Sequence, residues 1–243
     1  MLLLTPILRR LLVMAVVLAI PLVACELIAR KLIGDAVKSA VRARVGVASS
    51  VSFGSSPILL QLIHGRIDTV TVGATDARIQ GLPPLRLNAT LHDVHLANLT
   101  SLQGGIGSLT IDAHLSPGGV RLLLATPTCV EALPASLRRP LSAVPRVYVF
   151  PGRIDLLPPR GRSVEVRLAP LARAGSLVFV ISAVDRRGVP ASAATLALIR
   201  RRTQCSRSLP NLPFGVSLAS ATAATGALEL AFTGTNASFS AIG

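Results

Sequence analysis

Aromatic side chains are scarce in this 243-residue chain: they make up 3% of it, with no Trp and a single Tyr, Tyr148. Proteins that hold single-stranded nucleic acid stack its bases on aromatic rings, so this composition argues against that partner. It argues equally against sugar binding on flat aromatic platforms. Lysine is almost missing too, since every basic residue except Lys31 and Lys38 is Arg. The chain lacks a G-x-S-x-G elbow, a P-loop, a dinucleotide-binding glycine run and an H-E-x-x-H pair. Its four His are His64, His92, His95 and His114. His92 and His95 have a metal-like spacing for a helix, but their surroundings alternate as a strand does, and there an i,i+3 pair points to opposite faces. No carboxylate pair sits in an apolar setting that would raise a pKa for acid–base work. The expectation is a non-enzyme without metal or cofactor. Beyond residue 25 no 18 apolar residues run uninterrupted, so no second membrane span is expected.

What is present is apolar. Residues of hydrophobic type make up 51% of the chain and the mean hydropathy is +0.61. Without a second span, that surplus must enter a core or a lipid-lined groove. The length fits one large β-rich domain or two small ones.

The net charge of +14 is unevenly spread. Residues 138–207 hold fourteen Arg against Asp155, Glu165 and Asp185, whereas 48–137 hold four Arg against five acids. A coding bias explains Arg over Lys but not this clustering. The guanidinium fork pairs with phosphate in bidentate fashion, and a cationic face on an exported protein suits anionic lipid headgroups. Any single cluster also suits an ordinary solvated surface. The headgroup candidates are Arg186, Arg187, Arg200, Arg201 and Arg202.

Export is read from the N-terminus. Arg9 and Arg10 precede the apolar run Leu11 to Cys25, which Glu26 ends; a short basic region before such a run is the layout of a secretory signal. The run is short for a spanning helix. Leu22-Val23-Ala24-Cys25 has the form of a bacterial lipobox, with Cys25 the candidate for acylation. An uncleaved anchor continuing into the next helix is the alternative, and simple cleavage the third. The expected location is the outer face of the cytoplasmic membrane. In that oxidising setting Cys129 and Cys205 are candidates for a disulfide, or else two separate buried thiols.

From Glu26 to Val45 apolar residues recur at three- and four-residue steps opposite a mainly basic face, which predicts an amphipathic helix ended by Gly46. Such a helix lies on an anionic membrane surface or packs on a core. The period then becomes two. Strands are expected at Val51–Phe53, Ile67–Val72, Leu85–Leu91 and Leu109–Leu115, with a short buried helix over Pro57–Ile63. Ser116-Pro117-Gly118-Gly119 reads as a turn leading into an apolar stretch, Val120 to Ala125. A helical crossover over 126–145 precedes strands at 146–150, 153–157, 164–168 and 177–184. A helix at 191–202 and strands at 216–221 and 227–233 complete the chain. The domain expectation is a signal or anchor over 1–25 and one α+β domain over 26–243, divisible into β-rich halves at 48–125 and 146–243.

Three stretches together carry a family resemblance: the helix at 26–46, FGSSPILLQLIHGRIDTVTV from Phe53 to Val72, and LPNLPFGVSL from Leu209 to Leu218. The chain resembles the LmeA-like family of actinomycete envelope phospholipid-binding proteins, named for a lipomannan elongation factor. The motifs are packing and turn motifs. The resemblance implies an α+β fold akin to tubular lipid-binding domains, with an N-terminal amphipathic helix packed in a strongly curved antiparallel sheet. It implies binding of phospholipids, phosphoinositides included, and a role in lipoglycan maturation. Residues 138–207 are richer in Arg than the family pattern, and 170–176 lacks a clear strand pattern. Within the two family-like motifs the large apolar groups Phe53, Leu59, Leu60, Ile63 and Phe214 are the groove candidates, with plain core packing as their other reading. Beside a lipid carrier stands a second function: a non-catalytic scaffold for envelope glycosyltransferases.

Overall fold

Strand periodicity dominates the chain, and it builds two antiparallel sheets. The computed structural model describes residues 19, 22–35, 37–39, 42, 49–79, 82–98, 103–125, 137, 145–159, 163–202, 205–209 and 212–240. The first sheet joins β1 (Ser49–Phe53), β2 (Arg66–Ala77), β3 (Leu85–Asn98), β4 (Gln103–Leu115), β12 (Ala227–Ser240) and β11 (Ser217–Ala224), in that spatial order. The second runs β10 (Cys205–Ser208), β8 (Ser176–Arg186), β7 (Val164–Arg173), β6 (Arg153–Leu157), β5 (Arg146–Phe150), with the two-residue β9 (Val189–Pro190) beside β8. Among the described residues the helices include α1 (residues 22–35), α2 (Ile58–Ile63), α3 (Pro117–Leu124) and α4 (Ala193–Arg202). The fold is thus α+β with large antiparallel sheets.

Directly opposed residues share a face, so register defines the core. One apolar row runs Val51, Val72, Ala89, Ile111, Phe232, Leu218, and the next runs Ala74, Leu87, Ala113, Leu230, Ala221. From the second sheet Ile154, Val166, Leu168, Leu177, Phe179 and Ile181 join the same continuous core. β11 lies against β5 to β8. The turns lock together as well: Gly152 N donates to Ala223 O at 2.8 Å and Gly226 N to Val149 O at 3.1 Å. The final hairpin therefore completes the first sheet, and sheets and sequence halves do not coincide.

Two local expectations are corrected. The stretch after Ser116 is helix α3, since Ser116 Oγ accepts from Gly119 N at 3.2 Å and Pro117 takes the first helical position, where its missing N–H costs nothing. Val120, Leu123 and Leu124 then enter the core. The segment 170–176 is strand after all: β7 continues to Arg173, and Ala174 and Gly175, both at positive φ, turn the chain into β8. The crossover at 126–145 lies almost wholly outside the described residues; Leu137 within it is buried.

At one level of the first sheet three neighbouring strands break the alternation together. Asp93 in β3 and Asn236 in β12 adopt φ of 54° and 52°, and Gly107 of β4 lies between them. A Cβ on Gly107 would stand 2.8 Å from Asp93 Cβ, too close to fit. Pairing keeps one register on both sides of this row. The buried set nevertheless changes parity, from Val70 and Leu109 on one side to Ile67, Val94, Ile106 and Ala237 on the other. Residues three apart thus face the same way, which a regular strand forbids. His92 and His95 are both exposed as a result, not sent to opposite faces as the alternation predicts. Arg66 forms an ion pair with Asp93 in this row's neighbourhood.

Register also fixes the ends. α2 joins the end of β1 to the start of β2, at the end of the sheet where Arg66 faces His95 and His95 faces Gly105. α3 follows the far end of β4, where Leu115 faces Leu228. The 13 residues of β4 between these poles span about 40 Å.

Candidate lipid-binding surface

Four of the five apolar candidates gather at the α2 pole. Phe53 ends β1 and is half-buried, and Leu59 is half-buried on α2. Leu60 and Ile63 point outward, 56% and 79% exposed. Phe214 belongs to the short 3-10 turn Pro213–Gly215 ahead of β11, held at φ 62°. Yet it is connected to the others through the sheet. Phe53 faces Val70, Val70 faces Leu91, Leu91 faces Leu109, and Leu109 faces Gly234. A Cβ on Gly234 would meet Val216 at 2.9 Å and Phe214 O at 3.6 Å. The two family-like motifs therefore stand at the same level on opposite margins of one apolar row. Both Phe53 and Phe214 pack on its core.

A side chain that sequence reasoning treated only as the end of an apolar run organises this pole. Glu26 on α1 accepts hydrogen bonds from Ile58 N (2.7 Å) and Leu59 N (3.0 Å), the first amides of α2. Pro57, at the N-cap, supplies no side-chain cap of its own, so Glu26 satisfies donors a short helix would otherwise leave open. Arg30 Nε bonds the same carboxylate at 2.7 Å, and its Nη2 reaches Ser56 O at 3.2 Å. The amide of Leu59, then Arg30, then the amide of Ile58 hold the Glu26 carboxyl down at about 2. On the far side of α2, Gln61 receives Asp68 N and donates to Ser56 O. Further along α1, Gly34 is buried, and an added Cβ would be 3.8 Å from Phe53 Cε2. Helix, turn and strand are thus joined where the apolar run ends.

The arginine candidates do not form one cluster. Arg186 and Arg187 are exposed at the β8–β9 turn, beyond the N-terminal end of α4. Arg200 and Arg201 are at its other end, and ten helical residues separate the ends by about 15 Å. Arg200 is committed to the fold, donating from Nε to Ile181 O at 2.6 Å and from Nη2 to Ser182 O at 3.0 Å. The Arg202 side chain lies outside the described residues. So does Cys129; Cys205 is buried at the start of β10, and Cys25 is an exposed thiol on α1.

On the opposite, polar face of the first sheet lies a cleft of about 450 Å³ lined by Asn88, Asp112, His114, Ser220, Thr222 and Glu229. His114 Nδ1 stands 3.6 Å from Glu229 Oε1. Two carboxylates make it a poor place for an acyl chain or a phosphate. In the second sheet Arg167 joins Glu165 (3.1 Å) and Asp185 (2.8 Å). Asp155, 5% exposed, leaves Oδ1 without a partner among the described residues. Its burial pushes its pKa up, against the pull of Arg153. Among the described residues no group of three or more His, Cys, Asp or Glu is placed to hold a metal ion.

Residues 25–233 match the family model described as LmeA-like phospholipid-binding. The chain belongs to the LmeA-like phospholipid-binding family. The matched span opens at Cys25 and closes within β12, so it takes in the Glu26 clamp, α2, both sheets and the Phe214 turn. Neither curated proteins nor solved structures give a match. The family is described by what it binds and not by a reaction, which agrees with the absence of catalytic motifs. The signal that would have found Glu26 is its position, a lone acid where an apolar run gives way to a basic helix. Its partner amides, 32 and 33 residues away, have no sequence signature.

Proposed function

We propose that the chain binds phospholipid at the outer face of the cytoplasmic membrane and carries or presents it there, in support of lipoglycan (lipomannan) maturation. The observation behind this is the family match over nearly the whole folded chain. Acyl chains would leave water against the apolar row between Phe53 and Phe214, near Leu59, Leu60 and Ile63. The desolvation of apolar surface supplies the affinity. Phosphate would pair with exposed arginines, for which Arg186, Arg187 and Arg201 are available and Arg200 only in part. The preferred ligands are anionic phospholipids, phosphoinositides among them. The strong curvature that a tubular lipid-binding fold needs finds support in the Asp93–Gly107–Asn236 row, since such irregularities bend strands. The N-terminal run would hold the domain at the membrane, by acylation at Cys25 or as an uncleaved anchor.

A second reading, a non-catalytic scaffold for envelope glycosyltransferases, draws on the continuous core between the sheets. A scaffold needs no lipid-sized space. The two separate in one experiment: full-length protein is incubated with phosphatidylcholine vesicles containing or lacking phosphatidylinositol, then repurified and its lipid extracted. Lipid carriers leave with phospholipid, enriched in the anionic species, and R186E/R187E/R201E reduces that enrichment. Protein that emerges lipid-free from both vesicle types overturns the carrier reading.

A further inference from the structure

The α2 pole carries exposed apolar side chains that no described element covers. Leu60 and Ile63 point outward from a six-residue helix, and α1, which Glu26 joins to it, exposes Leu22, Val23, Leu27, Ile28 and Leu32. Exposed apolar groups gathered in one place mark an interaction surface. The chain itself indicates what covers them. Glu26, whose carboxylate binds the first amides of α2 at 2.7 and 3.0 Å, is the residue immediately after the fifteen-residue apolar run ending at Cys25. Leu22 and Val23, the run's last large residues, are one helical turn earlier, about 5 Å along the axis.

We infer that α2 is a membrane-seating element: Leu60 and Ile63 enter the headgroup boundary of the bilayer, held there by the Glu26 clamp. The inference rests on the membrane-proximal reading above. It requires one of the two tethered fates and not simple cleavage, because an acylated Cys25 and an uncleaved anchor both bring Glu26 to the bilayer surface. No flexible linker intervenes, so α2 must be at the interface when the run is in the membrane. Interfacial helices bury their apolar face about 5–10 Å into that boundary, and the Glu26 clamp ties α2 to the residue next after the run. The charges nearby have the matching sign. Arg30 and Lys31 follow on α1, Lys38 and Arg42 come after it in the chain, and Arg66 begins β2, whose exposed neighbours His64 and His95 add no acid. Against them stand Glu26, which pairs with Arg30, Asp35, which pairs with Lys38, Asp93, which pairs with Arg66, and the exposed Asp68 of β2. The small basic excess that remains beside apolar side chains suits an anionic leaflet. The sheet's long strands then rise from the membrane, with α3 and its exposed Leu122 at the far pole. The α2 pole becomes the end at which a phospholipid would pass between bilayer and protein.

The absence of tryptophan makes this directly measurable. Full-length protein carrying Leu60→Trp, Ile63→Trp or, as the far-pole control, Leu122→Trp is reconstituted into vesicles of three parts phosphatidylcholine to one part phosphatidylglycerol. The phosphatidylcholine is brominated near the headgroup end of its acyl chains. The inference expects blue-shifted emission from Trp at 60 and 63, with about half or more of the fluorescence quenched, and an unquenched signal from 122. Adding Glu26→Gln to Ile63→Trp should move its quenching towards the control. Emission at 60 and 63 that matches 122 overturns the inference. Extracted phospholipid is measured on the same preparations: lipid bound with 60 and 63 unquenched defeats this seating while sparing the carrier function. Quenching at 60 and 63 without bound lipid keeps the seating and defeats the carrier.

Discussion

Glu26 holds α1 to α2 with three donor atoms converging on one carboxylate, and its titration should be visible in the backbone. The carboxyl titrates near 2 in the folded chain against 4.5 ordinarily. A depressed carboxylate stabilises fully above its unfolded value and loses that contribution as the pH falls through the folded one. The Ile58 and Leu59 amides should therefore remain protected from hydrogen exchange at pH 4 and lose protection towards pH 2. Glu26→Gln should expose both amides at neutral pH with the sheets unaffected. Asp155 has the opposite sign. Burial raises its pKa, so its charged form is a liability at neutral pH that protonation relieves. Asp155→Asn should raise stability at pH 7 by on the order of 1 kcal/mol or less. The gain should vanish in acid below the ordinary carboxylate range, where both folded and unfolded forms of the native residue are protonated. Urea melts of the two proteins at pH 7 and pH 2.5 would show it. The partners of neither residue were legible in the sequence, because each acts on groups that only folding brings near: α2 amides for Glu26, a strand buried on both faces for Asp155.

At the scale of elements, alternation made β3 and β4 legible, since Leu85, Leu87, Ala89 and Leu91 interleave with polar residues. It failed beyond Leu91 because Asp93, Gly107 and Asn236 reset the phase of three strands at once. A lone Gly in a strand hints at close backbone approach, but which neighbour approaches depends on pairing. Gly107→Val should cost about 1–3 kcal/mol through overpacking against Asp93, read as a lower denaturation midpoint with unchanged m-value. Helix α3 was missed because Pro-Gly-Gly reads as a turn, although Ser116 followed by Pro117 is also a helix start. Ser116→Ala should cost about 1 kcal/mol by removing the cap to Gly119. The short β10 was hidden by its length and by polar Ser206 and Ser208.

For the whole molecule, the family and the α+β class were readable from the two motifs, which the structure places at one level on opposite sheet margins. The sheet assignment was not, because the last hairpin crosses back past the second sheet to pair with β4. The arginine-rich segment, continuous in sequence, is divided in space by α4, with Arg200 drawn into the fold. The disulfide proposed between Cys129 and Cys205 would fasten the edge of the second sheet, and intact mass before and after reduction under denaturing conditions would detect it. Whether this protein holds phospholipid can be read from native mass spectrometry of the full-length chain purified in mild detergent. A phospholipid-binding chain gives a species heavier than the polypeptide by the mass of a phospholipid, released on collisional activation. A spectrum containing only lipid-free protein, from preparations whose sheets are intact by circular dichroism, would contradict it.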